Sequence, residues 1–192
     1  MTQPARVLEA ADVRRLLRHV QSTRNPERNR VIVLLSFKAG LRACEVSGIT
    51  WPMVLKANGR LSDQLTVAGR IAKNGSGRTI PRNADLHDAL KALYRVDRRP
   101  IGGPIIRSER GGHMKPRSIV NWFAVVYAEL GFEGCSSHSG RRTFITRSAR
   151  AIPRIGGSLR DVQELAGHRS LMTTERYIQG DREAQRKLVR LI

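Results

Sequence analysis

The 192-residue sequence predicts an α+β fold, mainly α-helical with one small antiparallel β-hairpin. Apolar residues recur at helical spacing through most of the chain, and glycines and prolines sit at the ends of these runs. Between Thr50 and Pro81 the texture changes, and short runs containing Thr, Val and Ile flank an Asn-Gly turn. Hydrophobic residues make up 40% of the chain, a globular composition, and the length suits one well-buried core.

The first helix places Val13, Leu16, Leu17 and Val20 on one face, and Asn25-Pro26 breaks it. Pro26 can open the next helix at its first position, where a backbone N–H would have no partner anyway. That helix carries Val31-Ile32-Val33-Leu34-Leu35 and Phe37, apolar on all sides, so it is expected at the centre of the core, ending near Gly40. A short helix over Ala43–Gly48 follows. Gln64–Gly69 and Arg78–Ile80 read as the two strands, separated by Lys73-Asn74-Gly75-Ser76-Gly77, whose glycines supply the positive φ angles of a turn. Helical spacing returns over Ala84–Val96 and over Pro116–Leu130, where Ile119, Phe123, Val126 and Leu130 share a face. A helix is expected across Arg141–Ala151 and a loop at Ile152–Gly157. Ser158 and Asp161 form a variant of the capping box for the next helix, which Gly167 ends. A basic helix at about Glu183–Leu191 closes the chain.

Composition narrows the function before any motif is read. There are 35 Lys and Arg against 16 Asp and Glu, a formal net charge of +19. Such an excess implies a polyanionic partner, because cations that neutralise phosphates release condensed counterions. Nucleic acid fits; an acidic membrane surface or a polyanionic assembly would exert the same attraction. Cys44 and Cys135 show no metal-ligand spacing and no paired framework, which fits a reducing compartment and suggests two ordinary buried thiols. No stretch approaches the ~18–20 apolar residues of a membrane span, and the N-terminus lacks the apolar core of a signal peptide. A soluble cytoplasmic protein without membrane contact is therefore expected. With no acidic cluster for a divalent metal and no Walker-type glycine loop, neither metal nor cofactor is expected.

Five separated features carry chemistry-bearing side chains. Arg42 lies in Gly40-Leu41-Arg42-Ala43-Cys44-Glu45, just past the apolar helix, and Lys73 lies in the hairpin turn. His138-Ser139-Gly140-Arg141 sets a His and an Arg three residues apart at a helix start, able to address one anion where the helix N-terminus also favours negative charge. His168 follows Gly167, and Tyr177 comes nine residues later. Taken singly these are a surface arginine, a solvated turn lysine, a structural histidine and a half-packed tyrosine. Their order in one chain points elsewhere.

That order resembles the tyrosine recombinase family, also called the phage integrase family, from about Glu9 to the C-terminus. Its signature is an Arg followed three residues later by Glu, a hairpin Lys, a His-x-x-Arg motif, a Gly-His, and a Tyr nine residues past that His. Arg42 and Glu45, Lys73, His138 and Arg141, Gly167-His168 and Tyr177 match it in order. The resemblance implies a site-specific DNA recombinase on the family's catalytic-domain fold. Tyr177 would be the nucleophile that forms a 3′-phosphotyrosyl link, and Arg42 and Arg141 the clamp on the non-bridging phosphate oxygens. Guanidiniums suit that role because they present paired donors and stay charged. His168 would add a neutral hydrogen bond to the phosphate, His138 would accept the tyrosine proton, and Lys73 would protonate the leaving 5′ oxygen. Glu45 would orient Arg42 or its helix. The link conserves bond energy, so no metal or nucleotide cofactor is implied.

The implied partner is double-stranded DNA, bound by a homo-tetramer assembled from monomers or weak oligomers, with an accessory DNA-binding protein possible and a nucleoid location. Residues 1–178 are expected to form the catalytic domain, without a separate N-terminal core-binding domain, because only 41 residues precede Arg42; the chain is then either a short single-domain member or a truncated derivative. The tail 179–192, with Leu188, Val189, Leu191 and Ile192, would dock on a neighbouring protomer or pack on its own domain. Gly140 departs from the family pattern, which commonly has an apolar residue there, and is expected to loosen local packing. Two other readings stay open. A type IB topoisomerase-like activity uses a similar residue set but commonly carries Lys where this chain has His138. A non-catalytic DNA-binding regulator of the same fold usually lacks part of the catalytic set, and this chain has all of it.

Overall fold

In the computed structural model, which describes residues 4–72, 75–177 and 189–190, helix α2 (Pro26–Lys38) is the axis around which the other elements pack. Val31 to Leu35 are fully buried and Phe37 nearly so, as a helix apolar on every side requires. It contacts α1 (Ala10–Gln21), α3 (Ala43–Gly48), α4 (Ala84–Val96) and α6 (Ser139–Ala151). Helix α5 (Pro116–Glu129) covers α3, and α7 (Leu159–Ala166) packs on α6, on the short α8 (Leu171–Glu175) and on strand β2 (Arg78–Pro81). Strand β1 (Gln64–Val67) pairs antiparallel with β2, with Leu65 opposite Ile80 and Val67 opposite Arg78. Alternation along β2 therefore turns Ile80 and Arg78 to the same inner face.

Helix boundaries follow local chemistry. Pro26 opens α2 behind a left-handed Asn25. The Asn83 side chain accepts from the Asp85 backbone N–H at 3.0 Å to start α4. Ser158 and Asp161 cap α7 reciprocally, and Gly167 ends it at φ 62°.

The main core runs from Leu8 to Phe132, while Ile145, Val162 and Ala166 form a second, smaller cluster between α6 and α7. Phe144, Ile152 and Tyr177 pack against that smaller cluster. The C-terminal part of the site thus rests on its own small apolar base.

Several expectations change. The stretch expected as a loop after α6 holds a 3-10 turn at Ile152–Ile155, closed by left-handed Gly156. Helix α6 begins at Ser139, two residues before its expected start at Arg141. Helix α8 went unseen because five residues are too few to show a period. The expected closing helix at Glu183–Leu191 lies outside the described residues, apart from Val189 and Arg190. Cys44 is exposed and Cys135 half-buried, so neither is the buried thiol expected. Gly140 does not loosen its surroundings. A Cβ there would collide with Ser36 Oγ and come within 2.8 Å of Phe37 Cδ2, so the glycine lets α6 lie close on α2. Among the described residues, no helix is long and apolar enough to cross a membrane.

Candidate active site

The site is assembled where the end of α2, the start of α3, strand β2, the start of α6 and the α7–α8 turn meet. Gly40 makes the first connection. It sits at φ 63°, and a Cβ on it would collide with the Phe144 ring. Its carbonyl accepts from Arg141 Nη1 at 2.6 Å, and the Ala166 carbonyl at the end of α7 accepts from Arg141 Nη2 at 2.7 Å. Arg141 is 3% exposed, so these two carbonyls fix its guanidinium while its remaining N–H groups stay available for another acceptor. Burial lowers the Arg141 pKa, the Arg42 charge lowers it further and Glu45 opposes both, yet an arginine stays protonated under such pressure.

Arg42 caps α3, and its backbone N–H donates to Glu45 Oε2 at 2.8 Å. Its Nη1 donates to Glu45 Oε1 at 3.3 Å, while the side chain keeps 21% exposure and reaches toward solvent. Glu45 is completely buried. Burial by itself raises its pKa, but hydrogen bonding and charge from Arg78, then the backbone bond and charge of Arg42, outweigh that and hold it below the ordinary value. The expectation that Glu45 orients Arg42 thus has its geometry. Arg78 was not anticipated. Its Nη1 and Nη2 donate to the two Glu45 oxygens at 2.8 and 3.0 Å, and its Nε donates to the Leu165 carbonyl at 2.9 Å. The available signal was strand alternation: Arg78 is two residues from apolar Ile80, hence on the inner face, where an arginine needs a partner.

His168 and Tyr177 complete the cluster. The backbone N–H of His168 donates to the Gln163 carbonyl at 3.0 Å, and Gln163 Nε2 donates back to the His168 carbonyl at 3.0 Å, locking the turn after Gly167. His168 Nδ1 lies 2.9 Å from the hydroxyl of fully buried Thr174. Burial first, then the charges of Arg141, Arg42 and Arg78, push the His168 pKa down to about 4, so the ring is neutral near pH 7. The Tyr177 ring stacks on that imidazole at 5.6 Å between centroids, and the Arg142 guanidinium lies 5.5 Å from the tyrosine ring centre. The Thr146 hydroxyl donates to the Tyr177 carbonyl at 3.4 Å.

The structure therefore brings Arg42, Arg141, His168 and Tyr177 together, and adds Arg78. His138 is the N-cap residue of α6 and is exposed. Among the described residues its ring makes no hydrogen bond to the others. Lys73 lies outside the described residues. Chemically, the guanidiniums of Arg42 and Arg78 share a single buried carboxylate, Arg141 hangs from two backbone carbonyls beside them, and the neighbouring histidine is neutral. Positive charge remains in excess next to the tyrosine, where Arg142 adds to it, a setting for a phosphate-like anion.

Comparison with known proteins agrees with this fold. The model of the phage integrase family matches residues 6–184. Tyrosine recombinase XerC of Pelobacter propionicus is 31% identical over 154 residues, covering 78% of this chain and 47% of the relative. XerC of Rickettsia prowazekii is 28% identical over 180 residues, covering 90% of this chain and 55% of the relative. The chain thus spans about half the length of the curated relatives it matches. Among solved structures, the Tn1549 transposon integrase in complex with a circular intermediate DNA superposes with a TM-score of 0.76 at 18% identity, over 100% of this chain and 67% of that one. The XerA recombinase gives 0.72 at 20% identity, over 97% and 64%. XerH bound to its difH substrate gives 0.70 at 18% identity, over 98% and 55%. The fold is that of tyrosine recombinase catalytic domains, and the chain belongs to the phage integrase family.

Proposed function

We propose that this chain is a tyrosine-type site-specific recombinase that cleaves and rejoins double-stranded DNA without metal or nucleotide cofactor. The observation that carries the reading is the excess of guanidinium charge from Arg42 and Arg141 beside a neutral His168 stacked on Tyr177. In this reading Arg42 and Arg141 hold the non-bridging oxygens of the scissile phosphate, where charge concentrates in the five-coordinate transition state. With the Thr174 hydroxyl donating to Nδ1, the His168 ring carries its proton on Nε2 and donates it toward the same phosphate. The Tyr177 phenol oxygen attacks phosphorus and gives up its proton to His138. The bond from phosphorus to the 5′ oxygen breaks, and that oxygen takes a proton from Lys73, leaving a 5′ hydroxyl and a 3′-phosphotyrosyl link. Attack by a 5′ hydroxyl reverses the steps and rejoins a strand. The roles of His138 and Lys73 rest on the resemblance in motif order.

The working assembly in this reading is a tetramer on two DNA sites at the nucleoid, in the cytoplasm, with an accessory DNA-binding protein as a further partner. Residues 1–178 serve as the catalytic unit, and residues 179–192, with Leu188, Val189, Leu191 and Ile192, reach a neighbouring protomer. Several similar structures are complexes with DNA, including the Tn1549 integrase, XerH and a lambda integrase dimer on a core site.

The test is covalent trapping on a pool of nicked duplexes with a randomised core, in which the cleaved fragment is lost and the adduct accumulates. The wild-type chain is expected to give a denaturant-resistant protein–DNA species and Tyr177→Phe none. An adduct that persists in Tyr177→Phe, or a fully assembled wild type on DNA that gives none, sinks the reading.

A further inference from the structure

The contacts of Arg78 exceed what a strand residue needs for stability. Its side chain is 6% exposed, and each of its three nitrogens donates to a group in another part of the site. Two of those bonds hold both oxygens of Glu45, whose remaining bonds hold the backbone and guanidinium of Arg42. The third holds the carbonyl of Leu165, and the next carbonyl, of Ala166, holds Arg141. Gly167 makes the approach possible. It lies at φ 62°, and a Cβ there would sit 2.9 Å from Arg78 Nη1 and 3.0 Å from Arg78 Cδ. The guanidinium therefore lies flat against the turn that presents His168.

We infer that Arg78 is a positioning residue, which fixes the Arg42–Glu45 turn relative to the Gly167–His168 turn so that clamp and histidine face one phosphate. The inference rests on the proposed DNA-cleavage reading. Arg78 acts through other groups, because each of its three nitrogens already donates within the site, two to Glu45 and one to the Leu165 carbonyl. Its planar fork is what the geometry uses: a lysine ammonium placed at Glu45 cannot also reach the Leu165 carbonyl along the fork's edge. Its charge has a separate effect, since it is one of three cations that act on His168.

Two substitutions separate the fork from the charge. Arg78→Lys keeps the charge and loses the fork, whereas Arg78→Gln loses both. Three measurements are made on the full chain: thermal unfolding, the His168 titration by NMR in the absence of DNA, and the rate of adduct formation on the nicked pool at saturating DNA. Arg78→Lys is expected to leave the His168 titration in place and slow adduct formation about 10- to 100-fold, the cost of a small misplacement, with DNA affinity changed less than about 2-fold. Arg78→Gln is expected to slow it similarly and also to shift the His168 titration upward. A folded Arg78→Lys variant with wild-type rate overturns the inference, as does an Arg78→Gln variant with an unmoved His168 titration. Collapse of both variants would make Arg78 a folding residue and overturn it too. A wild-type chain that forms no adduct defeats the cleavage reading instead, and the His168 titration, which needs no DNA, still tests what Arg78 does.

Discussion

The imidazole of His168 has to shed its charge to occupy its place, because burial and three neighbouring guanidiniums all oppose protonation and bring its pKa down to about 4. In an unfolded chain the same ring titrates near 6.5. The folded state therefore binds this proton less readily than the unfolded state. The resulting stability is present above about pH 6.5 and is lost as pH falls from there toward 4, by roughly 3 kcal/mol at most. Urea unfolding at a series of pH values should show this loss in the wild type and a flatter curve in His168→Gln over the same window. Equal slopes would mean that the ring is solvated and the site open. Glu45 adds a lower window, since its depressed pKa gives stability that disappears only as pH falls through the folded value. At this scale the family resemblance in motif order pointed to Arg42, Arg141, His168 and Tyr177, and the fold brings them together. Arg78 was not, since a single arginine in a four-residue strand shows nothing about a carboxylate 33 residues away.

Two glycines control how closely the elements of the site approach one another, for different reasons. Gly167 needs a left-handed backbone, so Gly167→Ala should cost about 1–2 kcal/mol from conformation and also push on Arg78. Gly140 needs space: Gly140→Ala drives a methyl into Ser36 and Phe37 of α2 and should cost about 1–3 kcal/mol by overpacking. Thermal unfolding of both variants measures these costs. An unchanged or raised melting temperature in Gly140→Ala would show that α6 and α2 can part without penalty. The C-cap role of Gly167 was readable from its place after an amphipathic run. The close approach at Gly140 was not, because the residues it meets are more than a hundred positions earlier in the chain. Similarly, the 3-10 turn at Ile152–Ile155 and the helix Leu171–Glu175 are too short for any period to announce them.

Across the whole molecule, the charge of +19 has one large consequence for binding. If DNA is the partner, each phosphate neutralised releases counterions, and affinity should fall steeply with salt. A loss of about 10³-fold or more between 50 and 200 mM salt is expected for six or more phosphate contacts. Equilibrium titrations of a fluorescent duplex across that range measure the slope, and a nearly flat line would remove phosphate contacts as the source of affinity. The site sits where the main core meets the smaller cluster of Ile145, Val162 and Ala166. Tyr177 packs on the smaller cluster, whereas Arg42 and Glu45 belong to elements built on the main core. The relative placement of these two apolar bases thus sets the distance between nucleophile and clamp, and Arg78 and Arg141 are two of the side chains that bridge them.

The sequence alone determined the fold class, the central helix α2 and the hairpin, because apolar periodicity and turn chemistry are local properties of a chain, and its motif order, through a family resemblance, pointed to four residues that meet. It also pointed to a polyanionic partner, since charge is a sum over residues. Only the tertiary structure decided that Glu45 is shared between Arg42 and Arg78, that Arg141 hangs between the Gly40 and Ala166 carbonyls, and that Gly140 is a close contact. Each of these depends on which distant backbone groups and side chains need partners once water is excluded, and that need arises only when the elements have packed.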